Sequence, residues 1–190
     1  MTKNKGILYI ISGPSGVGKG TICKKLLERN PNLSLSVSAT TRKPRSEDTE
    51  GVTYFFKSKE DFEKMIEEKK FLEWAVYNGN YYGTPCAPVE ESLNSGKDII
   101  LEIDVQGAVN VMEHFDGGVS VFIAPPDEKT LYDRLRGRGT ESDEEIEKRV
   151  SAAAAELKLK DRYDYIVVND CLETAVGDIE NIMKKEKEKL

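Results

Sequence analysis

Histidine and cysteine are scarce in this chain, and no long apolar run exists. His114 is the only histidine among 190 residues, so a cluster of imidazole metal ligands is excluded and His114 reads as a plain surface or helix position. Cys23, Cys86 and Cys171 are odd in number, far apart and outside any Cys-x-x-Cys pattern. That removes a disulfide framework and a zinc site and leaves reduced, structural thiols. The first six residues lead into only about six apolar ones, too few for a signal-peptide core or a membrane span. A cytoplasmic protein without a membrane partner is expected. Positive charge is in deficit too: 28 Lys and Arg against 34 Asp and Glu give a net charge of −6. A protein that coats nucleic acid would need the opposite balance, so no nucleic-acid partner is expected.

What is present is a repeating pattern long enough for one domain with a real core. Short apolar runs at 7–11, 98–103, 119–124 and 165–168 are each followed by helix-like periodicity, clearest at 129–137, 144–160 and 172–189. Such alternation predicts an α/β fold with a parallel central sheet covered by helices. The lysine- and glutamate-rich end, 184–189, reads as a solvated face. Between 34 and 84 the pattern breaks into β-prone pieces at 35–38, 52–56 and 71–77 around one helix, whose Ser58 and Asp61 form an approximate capping pair. We expect a small mixed α+β insert there, rich in groups that recognise anions and bases: Arg42, Arg45, Tyr54, Glu73, Tyr81 and Tyr82. A glycine- and arginine-rich stretch at 136–143 suits a mobile lid. The expected division is a core of 1–33, 85–135 and 148–190, an insert of 34–84 and a lid of 136–147.

The run Gly13-Pro-Ser-Gly-Val-Gly-Lys19-Gly20-Thr21 follows the first apolar strand and opens a helix. Its glycines let successive N–H groups curl around anionic oxygens, the helix terminus adds partial positive charge, and Lys19 reaches the β- and γ-phosphates. The candidate ATP-binding residues are therefore Gly13, Pro14, Ser15, Gly16, Val17, Gly18, Lys19, Gly20 and Thr21. A phosphate loop ordinarily carries Ser or Thr directly after its lysine to ligate magnesium. Here Gly20 takes that place, and the metal is held either through water or by Thr21.

A loop that discharges a phosphoryl group needs cations to neutralise the charge spread over it. Arginines are available in two clusters, Arg42 with Arg45 and Arg134 with Arg138 and Arg149, and arginine forks two hydrogen bonds onto phosphate oxygens. Taken singly, any of them could merely solvate a surface. The motifs Ser36-Val-Ser-Ala-Thr-Thr-Arg-Lys-Pro-Arg45, Glu50-Gly-Val-Thr-Tyr54, Phe71-Leu-Glu-Trp-Ala75, Gly79-Asn-Tyr-Tyr-Gly-Thr84, Ile103-Asp-Val-Gln-Gly107 and Arg136-Gly-Arg-Gly-Thr140 span nearly the whole chain. In that order they resemble the guanylate kinases, P-loop nucleoside monophosphate kinases.

The resemblance implies transfer of the ATP γ-phosphate to GMP or dGMP, with Mg2+, giving ADP and GDP or dGDP. It places Ser38, Arg42, Arg45, Tyr54, Glu73, Tyr82, Thr84 and Asp104 around GMP. Arg42, Arg45, Tyr54 and Tyr82 would grip its phosphate, Glu73 would accept from the guanine N1–H and N2 amino group, Ser38 and Thr84 would serve the O6 edge, and Asp104 the amino side. Lys19, Arg42, Arg134, Arg138 and Arg149 would carry the catalysis. Thr84 stands where many relatives have Ser, and Glu102 where an Asp is often found. Independently, Glu73 lies between large apolar residues, where an ionised carboxylate needs donors such as guanine's two; a solvent-facing strand position is the alternative. Two rival readings remain at this stage, a non-catalytic module of the same fold that binds phosphorylated peptides and a phosphotransferase for another monophosphate or a sugar phosphate. The lysine and the arginine-rich lid weigh against the first, Glu73 with Asp104 against the second.

Overall fold

Apolar runs with no polar alternation suit strands covered on both faces, and that is where they go. The computed structural model describes residues 5–136 and 143–190. Strand β1 (Leu8–Ser12) is buried along its whole length. Strand β2 (Leu33–Leu35) lies at one edge and pairs with β7 (Asp98–Glu102), which pairs with β1; β8 (Gly118–Ala124) follows on the other side of β1, and β9 (Tyr165–Val168) closes the sheet. All pairings are parallel, in the order β2-β7-β1-β8-β9.

Side chains alternate across a strand, so β1 feeds two cores. Tyr9 and Ile11 face α1 (Lys19–Arg29) and α7 (Leu172–Lys187), packing with Ile22, Leu26, Val176 and Ile179. Leu8 and Ile10 face α3 (Cys86–Asn94) and α4 (Val105–His114), packing with Val89, Leu93, Val105 and Val111. Two further helices, α5 (Glu128–Arg136) and α6 (Asp143–Leu157), join through Leu131, Leu135, Val150 and Ala153. The helix expected to run to 160 ends at Leu157, and a 3-10 turn, Lys160–Arg162, follows. The stretch expected to be irregular, 136–143, has Arg136 closing α5 and Asp143 opening α6. Its middle, including Arg138, lies outside the described residues.

A second sheet carries the remaining strands in the order β4-β3-β6-β5, with β3 (Ala39–Thr40), β4 (Phe55–Phe56), β5 (Phe71–Tyr77) and β6 (Asn80–Pro85). It is mixed: β3 runs parallel to β4 and antiparallel to β6, which is antiparallel to β5. Helix α2 (Lys59–Glu67) begins as read, with the Ser58 hydroxyl accepting from the Asp61 N–H at 3.0 Å. It inserts the fully buried Phe62 against Phe71 and Tyr81, ring centroids 4.3 and 5.2 Å away. The β5–β6 hairpin turns on Asn78 and Gly79, both at positive φ (48° and 76°), as a two-residue Asn-Gly turn requires.

Two expectations change. The strand near 35 belongs to the parallel sheet, because Leu33–Leu35 pairs with Asp98–Ile100, so the second sheet starts only at Ala39. Of the piece at 52–56 only Phe55 and Phe56 form a strand; Gly51 at φ 73° turns the chain just before it.

Candidate active site

The turn from β1 into α1 is cramped. Gly13 has φ 148°, and a Cβ there would fall 2.2 Å from the carbonyl oxygen of Ile123. Gly18 caps α1 at φ 96°, where a Cβ would fall 2.7 Å from the Asn169 side-chain nitrogen. Only glycine fits both the backbone angle and the space. Lys19 folds back over this loop, its ammonium donating to the carbonyls of Gly13 at 2.6 Å and Pro14 at 3.2 Å. Burial lowers the Lys19 pKa, and the nearby carboxylates of Glu102, Glu156 and Asp104 oppose that shift. These groups, with Gly13 and Ser15, wall a cavity of about 300 Å³.

On the loop's other side a cavity of about 210 Å³ is lined by Gly16, Gly18, Thr21, Arg134 and Asn169. Thr21 thus faces away from the acidic wall. Gly20 faces it, since a Cβ there would stand 3.5 Å from Glu102 Oε1. Arg134, near the end of α5, donates to the main-chain carbonyl of Asn169 at 2.9 Å. Arg149 reaches from α6 to the Ser15 hydroxyl at 2.6 Å. Pro14 and Val17 complete the loop, with the Val17 N–H donating to the Pro14 carbonyl at 3.3 Å.

The second sheet presents the other half of the constellation on one face. Thr84 lies opposite Glu73, and Tyr82 opposite Ala75, so period-two alternation puts Glu73, Thr84 and Tyr82 together. The Thr84 hydroxyl, fully buried, donates to Glu73 Oε1 at 2.8 Å. Burial raises the Glu73 pKa; the Thr84 hydrogen bond offsets this in part and Asp104 adds to it. Asp104 caps α4 by accepting from the Gly107 N–H at 2.7 Å. It stands beside Glu73, for a Cβ on Gly107 would meet Asp104 Oδ1 at 3.3 Å and Glu73 Oε2 at 3.4 Å.

Arg42 donates to Asp48 at 2.8 Å and to the Lys43 carbonyl at 2.9 Å. Its guanidinium lies 5.3 Å from the Tyr54 ring centre, and Tyr54 meets Tyr82 edge-on at 6.0 Å. Asp48 also accepts from the Arg45 main-chain N–H at 2.7 Å, while Arg45 itself is exposed. Ser38 directly precedes β3, its carbonyl accepting from the Phe55 N–H at 2.9 Å. Tyr81, grouped with the recognition residues on sequence grounds, points to the opposite face, donates to Glu63 at 3.0 Å and packs on Phe62.

Sequence reading missed Asp48, Glu156 and Asn169. Asp48 had a usable signal, an acid three residues after Arg45 in a basic turn. Glu156 comes from α6 and Asn169 from just past β9, both distant in sequence from the loop they meet. A larger cleft, about 790 Å³, lies off the loop at 13–21, lined by Phe71, Leu72, Glu73, Trp74 and Phe115.

Comparison with known proteins supplies the family. Residues 5–186 match the guanylate kinase family model. A guanylate kinase of Halalkalibacterium halodurans is 53% identical over 98% of this chain and 91% of its own length, and one of Shouchella clausii is 54% identical over the same shares. The crystal structure of guanylate kinase from Anaplasma phagocytophilum, 35% identical, superposes with a TM-score of 0.74, covering 98% of this chain and 88% of that one. Likeness of this degree across nearly the full length leads to one assignment: the chain belongs to the guanylate kinase family.

Proposed function

We propose that the chain carries out its family's reaction, transfer of the ATP γ-phosphoryl group to GMP, with the residues just described. The observation that carries this reading is the Glu73–Thr84 pair, at 2.8 Å, beside Asp104. An ionised carboxylate accepts from both guanine donors, N1–H and the N2 amino group, while Asp104 supports the amino side, the Ser38 hydroxyl serves the O6 edge, and the Thr84 hydroxyl, with one proton to give, turns it from Glu73 to O6 when guanine takes its place on the carboxylate. Adenine offers an acceptor and a C–H on that edge, leaving a desolvated carboxylate unpaired at a cost of about 1–3 kcal/mol.

Arg42, Arg45, Tyr54 and Tyr82 hold the GMP phosphate. Asp48 keeps Arg42 in place, and the ring of Tyr54 backs its guanidinium. On the donor side, residues 13–21 cradle the ATP phosphates, and Lys19 exchanges its two loop carbonyls for phosphate oxygens. Arg134 and Arg149, joined by Arg138 of the proposed lid, stabilise the charge on the moving group as an oxygen of the GMP phosphate bonds to the γ-phosphorus and the ADP oxygen departs in line. Glu102 and Asp104 line the cavity beside Lys19, and two carboxylates suit a cation that takes few protein ligands and keeps several waters. When bound, Mg2+ would neutralise the β- and γ-phosphate oxygens, with Glu102 and Asp104 holding it directly or through water in place of the Thr21 expected from sequence. Both substrates belong to the cytoplasmic nucleotide pool, and we place the protein there.

The test is a panel of acceptors with ATP and Mg2+. GMP and dGMP should be phosphorylated and AMP, CMP and UMP should be far poorer; an AMP kcat/KM equal to that of GMP would remove the guanine pocket.

A further inference from the structure

Asn169 stands one residue past β9, where the parallel sheet ends beneath the phosphate loop, and it is only 6% exposed. Its polar groups serve separate elements. The main-chain N–H donates to Ala124 at the end of β8 at 2.8 Å, and the side-chain Nδ2 donates to the Val17 carbonyl within the loop at 2.8 Å. The main-chain carbonyl accepts Arg134 Nη1 at 2.9 Å. Val17 is fully buried, so its carbonyl depends on a protein donor. In a planar trans peptide the C=O of Val17 and the N–H of Gly18 point in opposite directions. Holding the carbonyl toward Asn169 therefore turns the Gly18 N–H away from it. The missing Cβ of Gly18 is what lets Asn169 approach so closely.

We propose that Asn169 is a positioning residue for phosphoryl transfer: it fixes the Val17–Gly18 peptide so that the loop N–H faces the ATP phosphates, and it registers the Arg134 guanidinium against the same loop. This rests on the reading of residues 13–21 and Arg134 as the ATP side of the site. The side chain acts through the loop and the main-chain carbonyl acts on Arg134, so one buried residue sets both.

The test uses the full chain with Asn169→Asp, Asn169→Ala and Arg134→Ala, measuring the Kd of each nucleotide separately, kcat and thermal unfolding. Aspartate keeps the shape but turns an acceptor toward the Val17 carbonyl. It should weaken ATP binding about tenfold or more and lower kcat, with the GMP Kd within about twofold of the parent. Alanine, which only removes the donor and protects the test if aspartate fails to fold, should lie between parent and aspartate. Unchanged ATP affinity and kcat in a folded variant would overturn the proposal. So would equal losses for both nucleotides that track a lower Tm, the sign of a packing role alone. Arg134→Ala separates the layers. A normal kcat there refutes the Arg134 reading while an ATP defect in Asn169→Asp still upholds the loop arm; a lost kcat with intact Asn169 variants refutes the proposal alone.

Discussion

At the scale of single residues, charge in a poorly solvated place does the discriminating. Lys19→Met should abolish nearly all transfer while leaving a cooperative thermal transition, because the ammonium donates to the loop carbonyls of Gly13 and Pro14 and not to the core. A variant within about tenfold of parent activity would contradict that role. Glu73 gives a prediction whose sign is fixed by its raised pKa. In the proposed site GMP needs the ionised form, so its affinity should fall as pH drops through the raised value, above the pH of about 4.3 at which an ordinary glutamate titrates. An acid whose folded pKa lies above its unfolded one costs the fold stability once pH rises past it. Glu73→Gln should therefore unfold at a temperature no lower than the parent while losing GMP affinity, measurable by calorimetry and titration on one sample. Arg42→Ala should weaken GMP binding far more than ATP binding, since its contacts are Asp48, Lys43 and Tyr54 in the segment that joins β3 to β4. Equal losses for both nucleotides would move Arg42 elsewhere.

At the scale of elements, the two sheets should fail separately. Phe62→Ala empties the small core between α2 and the β5–β6 hairpin, a change costing about 3–5 kcal/mol where packing cannot relax. Its GMP KM should rise steeply while ATP still titrates normally, because the core of β1, α1 and α7 is untouched. The same contrast explains what could be read from sequence. β1, β7 and β8 are legible because burial on both faces writes an unbroken apolar run, β9 because its residues are apolar although Ile166 and Val168 are exposed, and the loop at 13–21 because its spacing is local. β3 and β4, two residues each, have no periodicity to read and exist only through pairing. The Asn78-Gly79 turn was legible in principle and passed over. Arg42, Arg45, Tyr54, Glu73 and Tyr82 stand out by their chemistry within the insert, but their roles, and Ser38, Thr84 and Asp104 altogether, come only through family likeness, since nothing local brings Glu73 to Asp104. The Asn169 contact with Val17 joins residues 152 apart, beyond the reach of any pattern in the chain.

At the scale of the molecule, the proposed sites put ATP at the ends of β1, β7, β8 and β9 and GMP on the second sheet, so transfer would require the two halves to meet with water shut out. With GMP and a non-hydrolysable ATP analogue together, small-angle scattering should give a smaller radius of gyration than without ligand; an unchanged radius at confirmed saturation would mean a rigid, preformed site. The parallel pairing of β1 with β8 joins Leu8 to Gly118 and Ser12 to Phe122, and it sets the order of events on the way to the native state. Contacts across so much chain form late and slowly, because the closure entropy precedes any gain from pairing. The nascent chain can assemble the hairpin that reads guanine, which is local, well before it can seat a triphosphate. In refolding from denaturant, fluorescence of Trp74 on that hairpin should therefore recover ahead of ATP binding, and the interval between them is the time the central sheet takes to close.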